Sequence, residues 1–314
     1  MHSVAFRPAA SGLFCYCVAN DLQCLRVVRR TLAAVKLPLP EVRNILMVSS
    51  AKGGVGKSTV AVNLSLALKN RLHGEPIGLL DLDVFGPSIP RMMGLDGLKP
   101  EIDSKKRIIP LTSYGIKCMS MGFLVDSDSA VVWRGLMVMS AVQQLLRQVI
   151  WGPLHTLVID MPPGTGDVQL SLCQNVPIQG VLIVTTPQTL ATSDTRRGIQ
   201  MLKTLNVPIY GIVENMTEFI CPACGHHSPL FGHQKDGPGS TVSGGDRLAE
   251  ATGLSVLARI PIDPELIQSA DAGKPLMFTA PQSEVGCLYD QLAEHIIKCQ
   301  NQTVHTTLSS KNTY

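Results

Sequence analysis

Lys52-Gly53-Gly54-Val55-Gly56-Lys57-Ser58 follows directly on the apolar run Ile45-Leu46-Met47-Val48 and precedes a helix-patterned stretch that opens at Thr59. A strand, a glycine-rich loop and a helix in that order make an anion site. Gly53, Gly54 and Gly56 leave successive backbone N–H groups, Val55 included, free to converge on phosphate oxygens, and the helix that starts at Ser58 and Thr59 adds the positive end of its dipole. Lys57 can reach the β and γ phosphates, and the Ser58 hydroxyl can ligate Mg2+. The stretch therefore predicts a site for a nucleoside triphosphate. Ala51 stands where the general glycine-loop pattern has its first glycine; if that position required positive φ, its Cβ would cost on the order of 1 kcal/mol.

Strand and helix patterns alternate along the rest of the chain. Strands are expected at 44–49, 77–82, 155–160, 180–185, 208–214 and 255–260, and helices near 58–70, 134–149, 167–175, 190–204, 244–252 and 284–298. Runs such as Leu157-Val158-Ile159 and Val181-Leu182-Ile183-Val184 are apolar without alternation, as strands covered on both faces are. The pattern predicts an α/β fold with a doubly wound, mostly parallel sheet, in which ligands sit at the carboxyl ends of the strands. Three polar motifs fall there. Asp81-Leu82-Asp83 closes the second strand, Asp160 opens the run Asp160-Met161-Pro162-Pro163-Gly164-Thr165-Gly166-Asp167, and Asn215 follows the apolar strand Ile209–Val213. Asp160 has the setting of a Walker B carboxylate that an apolar strand delivers to the water shell of Mg2+. Gly164 and Gly166 would let the backbone after it swing with the state of a γ-phosphate.

Charge divides unevenly. Residues 1–40 hold five basic side chains against one acidic, a net of +4, so the remainder of a chain whose net charge is +3 carries −1. A body without excess positive charge lacks the footprint of sequence-independent nucleic-acid binding. The basic, acid-poor segment 1–40 reads as a mitochondrial transit peptide, which places the mature protein in the matrix. Residues 41–299 read as one P-loop ATPase domain with a metal loop at 216–233 and a solvated loop insertion at 233–241; residues 300–314 read as a polar tail. No apolar run approaches the length that spans a bilayer, so no stable membrane insertion is expected.

The nine cysteines are too scattered for a disulfide framework and suit a reducing compartment. Cys118, Cys173, Cys287 and Cys299 are expected to be small buried hydrophobes. Cys221 and Cys224 alone form a motif: Cys221-Pro222-Ala223-Cys224 turns two thiols toward one ion or cluster. Two thiolates do not close a tetrahedral site. A second subunit could supply two more around a [4Fe-4S] cluster; His226, His227 or His233 could complete a zinc site within one chain; or the pair could do redox chemistry, although Gly225-His226-His227 after it looks like a knuckle loop. The spacing serves cluster and zinc equally.

Several of these stretches carry a family resemblance. The loop Lys52–Lys57 resembles the deviant P-loop of the MinD/ParA/NifH class (SIMIBI), which implies a homodimer that sandwiches ATP, with Lys52 crossing to the partner's phosphates. Leu80–Pro90, Val131–Ser140, the run from Asp160 to Asp167, Asn215-Met216 and Cys221-Pro222-Ala223-Cys224, in that order over roughly 44–298, resemble the Mrp/ApbC iron–sulfur carriers. The resemblance implies that Asp83 orients the attacking water, that Asp81 supports the Mg2+ water shell, that Asn215 reads adenine, and that Cys221 and Cys224 hold a [4Fe-4S] cluster across the dimer. The implied function is a slow ATPase that carries clusters to apo-proteins, and the nearest branch is mitochondrial and serves subunits of respiratory complex I. Two rivals share the loop: a NifH-like ATP-gated electron-transfer protein and a zinc-stabilised regulatory ATPase. A MinD-like membrane-positioning ATPase would end in a basic amphipathic helix, whereas Gln300-Asn301-Gln302-Thr303-Val304-His305 is polar.

Overall fold

The computed structural model describes residues 36–124, 135–221, 223–231, 234–235 and 241–309. Residues 1–35 of the expected 1–40 leader, residues 131–134 of the quoted Val131–Ser140 stretch, Pro222, His233 and most of the 233–241 insertion lie outside the described residues.

In chain order the elements are β1 (Val42–Ser49), α1 (Lys57–Arg71), β2 (Ile77–Asp81), α2 (Ile89–Met92), β3 (Leu111–Ser113) and β4 (Ile116–Ser120). Next come α3 (Gly135–Arg147), β5 (Leu154–Asp160), α4 (Asp167–Asn175), β6 (Gly180–Thr185), α5 (Thr189–Thr204), β7 (Ile209–Ile220) and β8 (His227–Pro229). The chain continues through β9 (Gln234–Lys235), β10 (Thr241–Val242), α6 (Gly244–Thr252), β11 (Val256–Ile262), α7 (Pro264–Asp271), α8 (Leu276–Thr279) and α9 (Glu284–Ser309). The main sheet runs β11-β7-β6-β1-β5-β2-β4-β3, with β8 hydrogen-bonded to β7. Only the β3–β4 and β7–β8 pairings in it are antiparallel. The expected doubly wound, mostly parallel sheet is the one found.

Burial explains the order. β2 and β6 are buried along their whole length, as central strands with helices on both faces must be. α1 is buried along ten of its residues, Lys57 among them, because it lies between the sheet and α9. Its unusually even hydrophobicity fits a helix with little solvent face. The chain reverses from β1 to β5 and β6 on either side, so the crevice at the strand order's switch point opens over the carboxyl end of β1, where the glycine loop begins.

Differences from expectation concentrate at short or edge elements. β3, β4, α2, α7 and α8 were not expected, and β7 extends to Ile220 instead of stopping at 214, so Asn215 lies inside a strand and does not end one. α9 crosses position 299 and runs to Ser309, so the expected polar tail begins as helix. The 233–241 insertion is not all loop, since β9 and β10 pair antiparallel at its ends. Cys118 and Cys173 are buried as expected, but Cys287 is exposed and Cys299 partly so. Among the described non-glycine residues positive φ occurs at Glu41, His73, Lys106, Tyr114, Asn206 and Met216; Ala51 is not one of them, so its methyl carries no left-handed penalty.

Candidate functional site

The glycine loop joins β1 to α1. Gly54 and Gly56 have φ of 77° and 83°, which an L side chain would resist, and Gly53 and Gly54 have open space where a Cβ would project. That open space beside the loop leaves room for a polyphosphate. A Cβ at Gly56 would overlap the Asn215 amide, and the same Asn215 Nδ2 donates to the Val55 carbonyl at 2.9 Å. Asn215 is brought to the loop by β7 and is buried there.

At the loop's end Lys57 Nζ meets Asp160 Oδ1 at 2.5 Å, and the Ser58 hydroxyl donates to Asp160 Oδ2 at 2.5 Å. Asp160 and Asp81 are cross-strand partners at the ends of β5 and β2. Both are fully buried. Asp81 accepts from the Asp83 N–H at 2.9 Å, the Ile89 N–H at 3.3 Å and the Ser120 hydroxyl at 3.0 Å. Burial, and then the charge of Asp160, push the Asp81 carboxyl up to about 7. Burial also raises Asp160, against the pull of Lys57 and Ser58. Such a group of carboxylates, one lysine and one hydroxyl has the chemistry to take up a hydrated divalent cation bound to phosphate.

Asp83 accepts from the N–H groups of Phe85 and Gly86, both at 3.2 Å, and so shapes the turn that carries Phe85 into solvent. The Gly164 N–H donates to Ser50 O at 2.9 Å, which ties the loop after Asp160 to the loop after β1. Gln169, buried on α4, donates to Ser49 Oγ and Pro162 O and braces the same junction. Lys52 is half-buried at the start of the glycine loop. The structure thus brings Lys57, Ser58, Asp81, Asp160 and Asn215 to one crevice, with Asp83 and Lys52 at its rim.

Beside Gly56 and Thr59 opens a cavity of about 460 Å³, walled by Ser88, Arg91 and Met92 of the α2 region, Asn215 and Met216 of β7, and Pro261, Ile262, Asp263 and Leu266 where β11 turns into α7. Met216, Ile262 and Leu266 give it apolar faces. The Ser88 hydroxyl is shielded from solvent and has no hydrogen-bond partner among the described residues. A planar heteroaromatic group with polar edges suits that mixture. Apart from Gly56, Thr59 and Asn215, the sequence reading missed these walls. Asp263-Pro264, an N-cap with proline at the first helical position, was the signal that a helix starts at the strand's end there.

Cys221 and Cys224 stand on the far tip of β7. The hairpin closes through the Cys221 N–H to His226 O at 3.0 Å and the Gly225 N–H to Cys221 O at 2.8 Å, with β8 returning antiparallel to β7. Both thiols are free and Cys224 is exposed. The N–H groups of Ala223 and Cys224, followed by the Cys224 thiol, hold the Cys221 thiol below its ordinary range, so it ionises readily as a ligand must. His227 pairs with Glu218 at 3.2 Å. Among the described residues no three of His, Cys, Asp and Glu converge.

Residues 41–297 match the model of a ParA-type family described as the NUBPL iron-transfer P-loop NTPase. The chain belongs to this family. It is 48% identical over 261 residues to the mouse iron–sulfur cluster transfer protein NUBPL, covering 83% of this chain and 79% of that protein. It is 45% identical to the Arabidopsis thaliana iron–sulfur protein required for NADH dehydrogenase, mitochondrial, covering 84% and 80% respectively. Among solved structures it is similar to the nucleotide-binding protein of Archaeoglobus fulgidus in complex with ADP. That likeness has a TM-score of 0.63 and 35% identity, and covers 75% of this chain and 88% of that one. The fold is that of the P-loop NTPases related to ParA. No described helix of this family member is long and apolar enough to cross a membrane.

Proposed function

We propose that this chain is an ATP-binding carrier of iron–sulfur clusters, with a [4Fe-4S] cluster as cargo on Cys221 and Cys224 of two copies. One observation carries the reading: two free thiols share an exposed hairpin at the tip of β7, the strand whose Asn215 is bonded to the glycine loop. A cluster of this kind takes four thiolates, one chain offers two, and a second copy supplies the other pair. Cargo held by two ligands per chain at an exposed tip can pass to an acceptor. The name of the mouse relative supports cluster transfer as the activity, and the plant name, with the basic leader, supports service to complex I in the mitochondrial matrix.

In this reading Gly53, Gly54, Val55, Gly56 and Thr59 cradle the phosphates and Lys57 neutralises them. Ser58 ligates Mg2+, while Asp160 and Asp81 hold its water shell. Asp83 orients the attacking water, Lys52 reaches the partner's phosphates in the homodimer, and Asn215 reads adenine at the mouth of the cavity. Hydrolysis is slow and serves as a switch between holding and releasing cargo.

The test is transfer. Protein loaded anaerobically with iron and sulfide is mixed with an apo-acceptor that needs a [4Fe-4S] cluster, and the acceptor's activity is followed. Recovery with wild type but not with Cys221→Ala supports the reading. An acceptor that stays inactive, or recovers equally with the variant, rules it out.

A further inference from the structure

β7 links the nucleotide loop to the cysteine hairpin, and its pairing breaks once between them. From Ile212 to Glu214 the strand is held on both sides, by β6 and β11, Asn215 still pairs with β11, and the buried Glu214 carboxylate accepts from the Gly245 N–H at 2.6 Å. Then the register slips: Asn215 faces Ile260 and Phe219 faces Ile262, so Met216, Thr217 and Glu218 stand opposite Pro261 alone. Met216 sits in this bulge with φ of 57°, a left-handed backbone that residues other than glycine avoid. Past it, β11 keeps only the Phe219–Ile262 pair, while Glu218, Phe219 and Ile220 pair with β8, the other arm of the hairpin that carries Cys221.

Met216 also walls the cavity beside Gly56, its Cε lying 3.9 Å from where a Cβ of Gly56 would stand. A base in the cavity meets this side chain, whereas phosphate on the glycine loop does not fill that space. We infer that Met216 is a positioning residue that carries occupancy of the nucleoside cavity to the Cys221–Cys224 hairpin, by turning the β7 bulge on which it sits. The near half of the strand is locked between two neighbours, whereas beyond the bulge β11 holds it only through the Thr217 hydroxyl on Ile260 O at 3.2 Å and the Phe219–Ile262 pair, so displacement of Met216 is taken up by the far half and reorients the thiols. The inference rests on the nucleotide and cysteine sites proposed above. It adds a route within one chain that needs no second copy.

The test uses metal-free full-length protein at fixed pH, with the rate of Cys221 alkylation by iodoacetamide resolved by peptide mass. Saturating ADP is expected to change that rate at least about fivefold in wild type. Inorganic pyrophosphate, which occupies only the loop, is expected to leave it unchanged. Met216→Gly, which keeps the left-handed backbone and deletes the side chain, is expected to bind ADP more weakly and, at ADP concentrations shown by calorimetry to saturate it, to lose the response; Met216→Leu should restore it. A change with pyrophosphate equal to that with ADP overturns the inference, as does an ADP response of wild-type size in Met216→Gly or none in wild type. A wild type that answers ADP but takes up no iron on reconstitution refutes the carrier reading and leaves this coupling standing; one that loads iron yet shows no thiol response does the reverse.

Discussion

Lys57 Nζ lies 2.5 Å from Asp160 Oδ1, with 6% and 0% of the two side chains exposed. The ammonium proposed for the triphosphate and the carboxylate proposed for the Mg2+ shell therefore neutralise each other in the absence of nucleotide. Breaking such a pair by removing one partner leaves a buried, uncompensated charge. Asp160→Ala is expected to lower the unfolding free energy by about 3 kcal/mol, read from urea titration. Saturating ADP should stabilise wild type by about 2.7 kcal/mol at a hundredfold excess over Kd and give the variant much less.

Asp81 sets a pH dependence opposite to ordinary acid unfolding. Its carboxyl is pushed up to about 7 in the folded chain, chiefly by burial, from an ordinary value of 3.8. The folded state therefore binds a proton that the unfolded state does not between those limits. The stabilisation from that proton is complete below the lower limit and is lost as pH rises through about 7. The stability of wild type relative to Asp81→Asn should accordingly fall as pH rises from 5 to 8. A constant difference across that range would show that Asp81 is ionised when buried.

Asn215 is predicted to matter for the nucleoside and little for phosphate. Asn215→Ala removes the bond to Val55 O and the edge of the cavity, and should weaken ADP binding about tenfold while changing pyrophosphate affinity little. Calorimetric titration of both ligands decides it. Gly56→Ala, which forces a Cβ into the Asn215 amide at positive φ, should abolish binding of both.

At the exposed hairpin the cost should be functional alone. Cys221→Ser is expected to leave the unfolding free energy from urea titration unchanged within about 0.5 kcal/mol and to abolish iron loading. Lys52→Ala should keep ADP binding yet remain monomeric with a non-hydrolysable ATP analogue, as sedimentation would show.

How much of this was legible in the sequence follows from the length of the signals. β1, β5 and β6 announced themselves as apolar runs too long and too uniform for anything but buried parallel strands, and the glycine loop fixed which end of them matters. β3 spans Leu111–Ser113 and α2 spans Ile89–Met92, too short for a period to register. The end of β7 was misread because Asn215 looks like a strand terminator, while tertiary pairing with β11 and β8 carries the strand on to Ile220. The left-handed backbone of Met216 has no compositional mark, because glycine does not supply it. The nucleoside cavity drew its walls from segments far apart in the chain, and only Gly56, Thr59 and Asn215 among them were visible beforehand. Cys287 was misjudged because a helix period says which residues share a face and not which face is covered.

Stoichiometry tests the central claim most directly. Iron and acid-labile sulfide are counted in anaerobically reconstituted protein while its mass in solution is determined on the same sample. The account predicts one [4Fe-4S] cluster per two chains, in a dimer that falls apart when the cluster is removed and nucleotide is absent. A monomer that keeps a whole cluster to itself would contradict it.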